Sequence, residues 1–400
     1  MLFRKRSLLL LIAASLCGLG AVFEGVGSAS ARSHHGSRSE DRATQKPNVD
    51  PARSFSAQDD EAAVVPGFPD IRFLASSEQD FLRALPPAGG AAPWLALSAG
   101  GADGAFSAGL LNGWSARGTR PNFAVVTGVS AGALVAPFAF LGSRYDDQLR
   151  TILTTINDAD VFEGAHTPAS LLDTWPFRNL LEKQITPQLV ADVAAEHRRG
   201  RRLFVVTTNL DSGRTTVWNM GAIAARGDDA AVILFRDVLL ASASVPGVFP
   251  PTFIDVEAHG HRFKEMHADG AIGGPFFVGP ESWLTGANQA RLPARQIYVI
   301  VNEKLTPDFE VTPSTTLGAL GRAFSAAVKT GTRVEIADTA AASKRDAIDF
   351  ELAYIPDSFN HPSHGLFDPD YVKALYDFGY RQAQEAFAKP QVQISQQPSQ

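Results

Sequence analysis

The chain has 400 residues and a net charge of −6, and 45% of its side chains are hydrophobic while 20% are charged. This length and composition belong to a globular protein of one large or two medium domains, and they exclude a collagenous or wholly disordered chain. The acidic balance gives no sign of the clustered basic surface that binds nucleic acid, so neither DNA nor RNA is an expected partner.

The first 31 residues have the pattern of an export signal. Three cations at 4–6 precede an apolar run over 8–23, and Ala-Ser-Ala at 29–31 forms an A-x-A-like cleavage site. We therefore expect residues 1–31 to be a signal peptide and the protein to be exported, as a periplasmic, secreted or envelope-associated protein. An anchor through residues 8–23 is the alternative, because the run approaches the length that spans a bilayer.

Two polar segments frame the folded region. Residues 32–63 are mixed in charge and poor in aromatic side chains, and residues 390–400 are similar. Neither segment can bury enough apolar surface to offset the entropy that it would lose on ordering. We expect a flexible linker and a disordered tail, with a single domain between them at 64–389.

The domain alternates strand-like and helix-like segments, which predicts an α/β fold with a mainly parallel sheet. Apolar runs predict strands at 93–98, 123–127, 203–209, 215–220 and 296–301. Helical patterns cover 104–118, 131–142, 228–243 and 369–388.

The segment "SAGGADGAF" at 98–106 joins the first predicted strand to the first predicted helix. Adjacent Gly100 and Gly101 let successive N–H groups point into one concavity, which is how an oxyanion is held. A phosphate-binding loop is the alternative, but the Gly-Lys-Ser/Thr ending of a Walker loop is absent from this segment. Asp103 is expected to cap the helix that follows.

The segment "GVSAG" at 128–132 follows the second predicted strand and precedes a helix. In this context G-x-S-x-G makes a sharp turn that exposes a nucleophilic serine, here Ser130, while Gly128 and Gly132 leave room for the turn. An ordinary glycine-rich turn with a small polar residue is the alternative interpretation.

The base that would activate Ser130 has two candidates. His361 or His364 would complete a Ser-His-Asp triad in the chain order of the α/β-hydrolases, but the serine turn of that fold follows several strands rather than one. Asp269, in "HADGAIGGPFF", is the other candidate. A carboxylate with its usual pKa of about 3.9 is a weak base, so it would need an apolar, desolvated site. The residues that would supply one are Ile272, Phe276, Phe277 and Val278.

The segment "HGHRFKEMH" at 259–267 gathers three histidines and Glu265. An H-x-H pair on a strand can bind zinc. The spacing also fits alternate positions of a hairpin that leads to Asp269, and we favour this structural interpretation.

The segment "GGPFFVGPESWL" at 273–284 offers an apolar rim for peripheral membrane contact, although aromatic residues near a turn more often belong to a core. The rim would consist of Phe276, Phe277, Trp283 and Leu284.

Taken in order, "GGADGAF", "GVSAG" and "DGA" resemble the motifs of the patatin-like phospholipase family, in its bacterial, exported form. The resemblance is strong over 91–280, where "ASASVPGVFPP" at 241–251 is also similar to the family. It continues more weakly through "YVIVNEKL" and "FDPDYVKALYDFGYRQA".

The resemblance implies a three-layer α/β/α fold and a Ser-Asp dyad that hydrolyses acyl esters of lipids without a cofactor or metal. Ser130 matches the family nucleophile, Asp269 the acid of the DGA motif completed by Gly270 and Ala271, and the backbone of Gly100, Gly101 and Ala102 the oxyanion loop. The family loop usually begins with aspartate and glycine and carries a basic residue. Those positions are held here by Ser98, Ala99 and Asp103.

The sequence therefore predicts an exported lipid acyl hydrolase of the phospholipase A or lysophospholipase type. Two alternatives remain open at this stage. One is an esterase that uses His361 or His364, and the other is a catalytically silent envelope protein that binds lipid.

Overall fold

The computed structural model describes residues 50–86, 92–164, 172–287, 290–307, 309, 311–312 and 314–386. The predicted export signal and anchor, the linker up to residue 49 and the predicted tail lie outside the described residues.

The strands of the described residues are β1 (Arg72–Leu74), β2 (Trp94–Leu97), β3 (Val125–Val129), β4 (Glu163–Gly164), β5 (Leu172–Asp173), β6 (Arg202–Asn209), β7 (Arg214–Asn219), β8 (Thr252–Ala258), β9 (His261–Asp269), β10 (Gln296–Val301) and β11 (Asp349–Tyr354).

The α-helices of the same part of the chain are α1 (Ala57–Ala62), α2 (Glu78–Ala84), α3 (Gly104–Ala116), α4 (Ala131–Leu141), α5 (Asp146–Thr155), α6 (Asp158–Val161), α7 (Trp175–Gln184), α8 (Pro187–Arg198), α9 (Met220–Ala225), α10 (Asp229–Ser242), α11 (Glu281–Leu284), α12 (Thr316–Asp346) and α13 (Pro369–Ala386). Short 3-10 turns cover Pro51–Arg53, Gly101–Asp103, Ser143–Tyr145 and Gly270–Ile272.

One mixed sheet organises the described residues. Its centre is the parallel series β11-β10-β2-β3-β6, and β7 and β1 extend it antiparallel beyond β6. The hairpin of β8 and β9 joins through β9, which pairs antiparallel with β6. Parallel neighbours need crossover connections, and α3 and α4 lie in the crossovers that follow β2 and β3.

The four inner strands β10, β2, β3 and β6 are buried on both faces, and successive side chains enter two different cores. Leu95 and Leu97 of β2 belong to the first core, whereas Trp94 and Ala96 belong to the second. Since side chains alternate along a strand, helices and loops must cover both faces of the sheet. The arrangement is the predicted three-layer α/β/α fold, which is confirmed.

The predicted elements agree closely with those of the structure. Strand β10 occupies 296–301 as expected, and α10 begins and ends one residue inside the expected 228–243. The prediction gave no elements for β1, α2 and α12 outside the motif region, and none for α5, α7 and α8 inside it.

Residues 50–63 correct the expected linker, because they pack on the domain. The Arg53 guanidinium pairs with the carboxylate of Asp211, and the Phe55 ring stacks on Phe263 with centroids 4.4 Å apart. Ser56 caps α1 by accepting a hydrogen bond from the Asp59 N–H. The charged residues of this stretch thus serve as ion-pair and capping partners, which composition alone does not reveal.

The prediction of an exposed apolar rim at 273–284 is also wrong. Its four large apolar side chains are buried in the second core, where the Phe81 ring of α2 meets those of Phe277 and Trp283 edge-on. Among the described residues, we find no helix whose length and apolar character would let it cross a bilayer.

Candidate active site

Ser130 lies at the sharp turn between β3 and α4. Its backbone has φ 54° and ψ −121°, a conformation that is costly for a residue with a side chain. A Cβ atom at Gly128 would lie 2.5 Å from the Gly132 carbonyl oxygen, and one at Gly132 would lie 2.3 Å from that of Leu97. Glycine is therefore required on both sides of Ser130 for the helix to begin this close to the strands.

The edge of β6 brings Ser130 and Asp269 together. Along that edge β3 ends with Val129 paired to Val206, and β9 ends with Asp269 paired to Thr207, the next residue of β6. The two strands approach from opposite directions, so the residue after β3 and the last residue of β9 become neighbours.

The two side chains are hydrogen-bonded. Ser130 Oγ donates to Asp269 Oδ2 at 2.6 Å, and the N–H of Ala271 donates to Asp269 Oδ1 at 2.8 Å. Asp269 is only 1% exposed, and this burial raises the pKa of its carboxyl to about 7, against the smaller opposing effect of the two hydrogen bonds. The carboxylate is therefore a much stronger base than an exposed aspartate.

Residues at the end of α10 and just after it hydrogen-bond to the backbones of Ser130 and Asp269. Ser242 Oγ accepts a hydrogen bond from the Ser130 N–H at 3.0 Å and donates to the Val206 carbonyl at 2.7 Å. Two residues later, the Ser244 carbonyl accepts from the Asp269 N–H at 2.9 Å. One short segment thus fixes the backbones of Ser130 and Asp269 relative to β6.

The loop after β2 lies beside this pair. Gly100 and Gly101 have φ values of 157° and 56°, and a Cβ at Gly104 would lie 3.1 Å from that of Ala131. Gly100 and Gly101 line the same cavity as Ser130. Ala102 packs partly buried against the first core and is not among the lining residues.

Asn302 clamps this loop from the end of β10. Its side-chain amide donates to the Ser98 carbonyl at 2.9 Å, and its Oδ1 accepts from the Ser107 N–H at 3.2 Å. A Cβ at Gly100 would lie only 2.3 Å from the Asn302 carbonyl oxygen, so the loop and Asn302 are in direct contact. Ser98, where the family loop has aspartate, accepts from the Asn302 N–H at 2.8 Å.

Asp103 corrects the expected helix cap. It occupies the residue before α3, but its side chain makes no capping hydrogen bond and instead accepts from the Tyr371 hydroxyl at 2.7 Å. A capping side chain needs an extended backbone, whereas the 3-10 turn leaves Asp103 helical at φ −69° and ψ −8°.

A cavity of about 440 Å³ opens onto the serine. Ser130, Asp269, Gly100 and Gly101 share its wall. One side is apolar and is formed by Leu134, Ile156, Val161, Phe177, Val245 and Phe249. The other side carries polar and charged groups, namely Asp103, Asn302, Glu303, Lys304, Arg322 and Lys329. An apolar cavity with a few convergent polar groups is the usual form of a small-molecule site.

The comparison with protein families decides the identity of this region. Residues 95–280 match the family model of Patatin-like phospholipase. Residues 95–280 are a patatin-like phospholipase domain. The match spans β2 with its glycine loop, the turn at Ser130 and the Asp-Gly-Ala segment, so the family recognised in the sequence is confirmed.

The crystal structure of VipD from Legionella pneumophila is similar to this patatin-like phospholipase chain with a TM-score of 0.41 and 14% sequence identity, over 75% of this chain and 68% of that chain. No curated protein sequence matches the chain.

The histidines expected for the alternative triad lie away from the patatin-like site. His361 and His364 are exposed, and neither lines the cavity. His361 Nδ1 lies 3.1 Å from the Pro362 carbonyl, and His364 Nδ1 lies 3.1 Å from Asp368 Oδ2. Ser130 Oγ is directed at Asp269 instead.

The histidines of the β8–β9 hairpin have structural partners. His267 is fully buried, with Nε2 3.0 Å from Glu265 Oε2 and Nδ1 2.9 Å from Thr207 Oγ1. Glu265 also pairs with Arg72 of β1. No cluster of three or more histidine, cysteine, aspartate or glutamate residues suited to a metal occurs in the described residues.

Sequence reasoning missed Ser242, Ser244 and Asn302. The first two lie inside the quoted segment "ASASVPGVFPP", so a signal for them was present. Their individual contacts follow from the fold and could not be read from that segment. Asn302 follows the apolar run of β10, and only its contact with Gly100 and Ser98 distinguishes it from any other residue at the end of a strand.

Proposed function

We propose that this patatin-like phospholipase chain hydrolyses carboxylic esters of lipids, with Ser130 as nucleophile and Asp269 as general base. The family implies lipid acyl hydrolase activity. Support for the two residues comes from one observation, the 2.6 Å hydrogen bond from Ser130 Oγ to a buried carboxylate in the wall of the cavity.

In the first step Ser130 Oγ attacks the ester carbonyl and Asp269 takes its proton. A base works best when its pKa lies near the working pH, and burial raises the pKa of Asp269 to about 7. The Ala271 N–H holds the other carboxylate oxygen, so Oδ2 stays directed at the serine.

The negative charge that develops on the carbonyl oxygen needs backbone donors. The loop at Gly100 and Gly101 supplies them in our proposal, together with the N–H of Ala131 at the start of α4. The next donors of that helix are engaged, since the Gly132 N–H donates to the Ser98 carbonyl at 3.1 Å and the Ala133 N–H to the Ser130 carbonyl at 2.9 Å.

Asp269 then returns its proton to the leaving alcohol oxygen as the tetrahedral intermediate collapses to an acyl-serine. Water, deprotonated by the same carboxylate, cleaves the acyl-serine and restores Ser130. The apolar side of the cavity, with Leu134, Phe177 and Phe249 in its wall, suits the acyl chain of a phospholipid or lysophospholipid.

Labelling with a fluorophosphonate probe tests the assignment. We expect wild type to label and Ser130→Ala not to label. The labelling rate of Asp269→Asn should fall by about 10²–10⁴-fold, the usual contribution of a general base. The matched control is His361→Ala/His364→Ala, which should label as wild type, and turnover of a phospholipid should follow the same order.

The outcomes discriminate between the candidate functions. Loss of labelling in the His361→Ala/His364→Ala variant would favour a histidine triad over the Ser-Asp dyad. A folded wild type that neither labels nor turns over an ester would favour a silent lipid-binding protein.

A further inference from the structure

One face of β9 carries three ionisable side chains in line. Glu265, His267 and Asp269 occupy alternate positions of the strand, so their side chains lie on the same side of the sheet. All three are buried, at 1%, 0% and 1% exposure. The proposed reaction uses only Asp269. Buried polar groups are costly unless they are hydrogen-bonded, so the partners of Glu265 and His267 indicate what these two residues do.

The protonation of His267 follows from its partners. Burial would raise the pKa of Glu265, but hydrogen bonds from His267 and Arg72 lower it to about 2, so the side chain is a carboxylate. A carboxylate only accepts, so His267 Nε2, 3.0 Å from Glu265 Oε2, carries a proton. Burial lowers the pKa of His267 by more than Glu265 raises it, so the imidazole is neutral and its Nδ1 carries no proton.

The Thr207 hydroxyl of β6 is the donor to His267 Nδ1. The two atoms are 2.9 Å apart, and an unprotonated ring nitrogen can only accept. Trp218 Nε1–H, which can only donate, donates to the same Thr207 oxygen at 2.8 Å. The hydrogen bonds therefore run in one direction, from Trp218 through Thr207 and His267 to Glu265. We call these four residues, with Arg72 on Glu265, the β9 network.

The hydrogen bond between Thr207 and His267 crosses the ladder of β6 and β9 diagonally. This ladder has three residue pairs, with Thr207 opposite Asp269 at one end and Asn209 opposite His267 at the other. We call the Thr207–His267 hydrogen bond the diagonal bond. A slip of one residue turns every side chain of a strand to the opposite face, so the diagonal bond stabilises the register in which Asp269 contacts Ser130.

The two neighbours of Thr207 in β6 contact the dyad. The Val206 carbonyl accepts from Ser242 Oγ, the group that accepts from the N–H of the nucleophile. Thr208 Oγ1 donates to the Asp269 carbonyl at 3.0 Å. Thr207 therefore lies between the β9 network and the part of β6 that fixes the nucleophile and the base.

We propose that His267 is a positioning residue for Asp269, which acts through the diagonal bond to keep Asp269 Oδ2 directed at Ser130 Oγ. The Glu265 carboxylate holds the imidazole in the tautomer whose Nδ1 accepts. Among the described residues that line the cavity, none except Asp269 lies on β9 and none belongs to the β9 network, so the network affects the reaction through the position of the base. The inference rests on the proposed function, which assigns Asp269 as that base.

The substitution Thr207→Val tests the role in the full chain, because valine has nearly the shape of threonine and removes the hydroxyl without changing any charge. Thr207→Ser keeps the hydroxyl and is the rescue variant. The matched control is Thr216→Val, since Thr216 lies opposite Thr207 on β7, is also buried and is outside the β9 network. Fluorophosphonate labelling and hydrolysis of a short, water-soluble ester are measured from about pH 5 to about pH 9, and circular dichroism checks folding.

We expect Thr207→Val to lower kcat by about 10–100-fold, the effect of a misplaced catalytic group, and to leave KM within about twofold of wild type. Activity rises with pH as Asp269 loses its proton. The hydrogen bond from Ser130 Oγ lowers the pKa of Asp269, so weakening it should move the midpoint of the pH profile up by about half a unit or more.

A smaller folded fraction would reduce activity but leave this midpoint unchanged, so the midpoint separates positioning from a merely structural role. Thr207→Ser and Thr216→Val should keep the wild-type midpoint and stay within about threefold of wild-type activity.

Labelling of wild type but not of Ser130→Ala establishes the nucleophile before the variants are compared, and a wild type that does not label would contradict the proposed function. A Thr207→Val variant with the wild-type rate and midpoint would overturn the positioning role alone, as would an equal shift in Thr216→Val.

If Thr207→Val does not fold, His267→Asn and His267→Leu replace it, because asparagine Oδ1 can accept from Thr207 and leucine cannot. The asparagine variant should label at least about fivefold faster than the leucine variant, the equivalent of one hydrogen bond. Equal rates in the two variants would count against the diagonal bond.

Discussion

At Asp269, burial and hydrogen bonding act in opposite directions on one carboxyl group. Removal from water raises its pKa, while Ser130 Oγ and the Ala271 N–H stabilise the charged form and lower it. Burial is the larger effect, so the folded protein holds a proton on Asp269 up to about pH 7. The unfolded chain releases the same proton near pH 4, the usual value for aspartate.

This difference predicts how Asp269→Asn changes stability with pH. Between about pH 4 and pH 7 the folded state binds more protons than the unfolded state, so wild type loses stability as pH rises through this window. Asparagine does not titrate. Relative to wild type, the variant should therefore gain at least about 1.4 kcal/mol of unfolding free energy between pH 4 and pH 8, the equivalent of one pKa unit.

Urea unfolding of wild type and Asp269→Asn at several pH values measures this gain, and Asp147→Asn, an exposed aspartate on α5, is the control for the substitution itself. A difference between wild type and Asp269→Asn that stays constant from pH 4 to pH 8 would show that the carboxyl is not perturbed. The test needs no substrate, so it examines the buried carboxyl independently of the proposed reaction.

At the scale of elements, two glycines of α3 allow α13 to pack directly on its backbone. A Cβ at Gly109 would lie 2.0 Å from the Tyr376 carbonyl oxygen, and one at Gly113 would lie 2.3 Å from that of Tyr380. The contact joins the helix after the glycine loop to a helix near the end of the described chain. It also brings Tyr371 within hydrogen-bond reach of Asp103.

The substitution Gly109→Ala should lower the free energy of unfolding by about 2 kcal/mol, because a buried methyl group without space forces the helices apart. The same change at Gly321, where a Cβ would meet nothing within 4 Å, should instead raise it by about 0.5–1 kcal/mol, since alanine favours helix. Urea titrations of the two variants measure whether the changes in unfolding free energy have opposite signs. Equal effects at both positions would contradict the close helix contact.

For the whole molecule, the domain includes residues that composition assigns to a linker. The stretch 50–63 contributes the Phe55–Phe263 stack and the Arg53–Asp211 ion pair. The isolated bridge between Val64 and Glu257 continues this contact onto β8. The β8–β9 hairpin that carries Asp269 is therefore supported by the segment preceding the predicted domain boundary.

A chain beginning at Asp50 should be more stable than one beginning at Val64 by about 2 kcal/mol, close to the burial of one phenylalanine side chain. Thermal unfolding of the two chains measures the difference, with Phe55→Ala in the longer chain as the control that isolates the ring. Identical unfolding midpoints of the two chains would show that residues 50–63 add no stability, as expected of a linker.

The sequence by itself determined the order of the strands and helices around the motifs, the turn at Ser130 and the glycine loop. These features depend on residue type at short spacing: Gly128 and Gly132 are required by contacts within a few residues or with the neighbouring strand. The family motifs identified Asp269 in the same way, as the aspartate of an Asp-Gly-Ala segment.

Only the tertiary structure decided which residues distant in sequence are in contact. Ser130 and Asp269 are far apart in sequence, and they become neighbours because β3 and β9 end at adjacent residues of β6. Ser242 gains its contacts with Ser130 and Val206 through the same convergence, whereas Asn302 reaches Ser98 because β10 pairs with β2. Burial also depends on the whole fold, which is why the expected rim at 273–284 lies in a core.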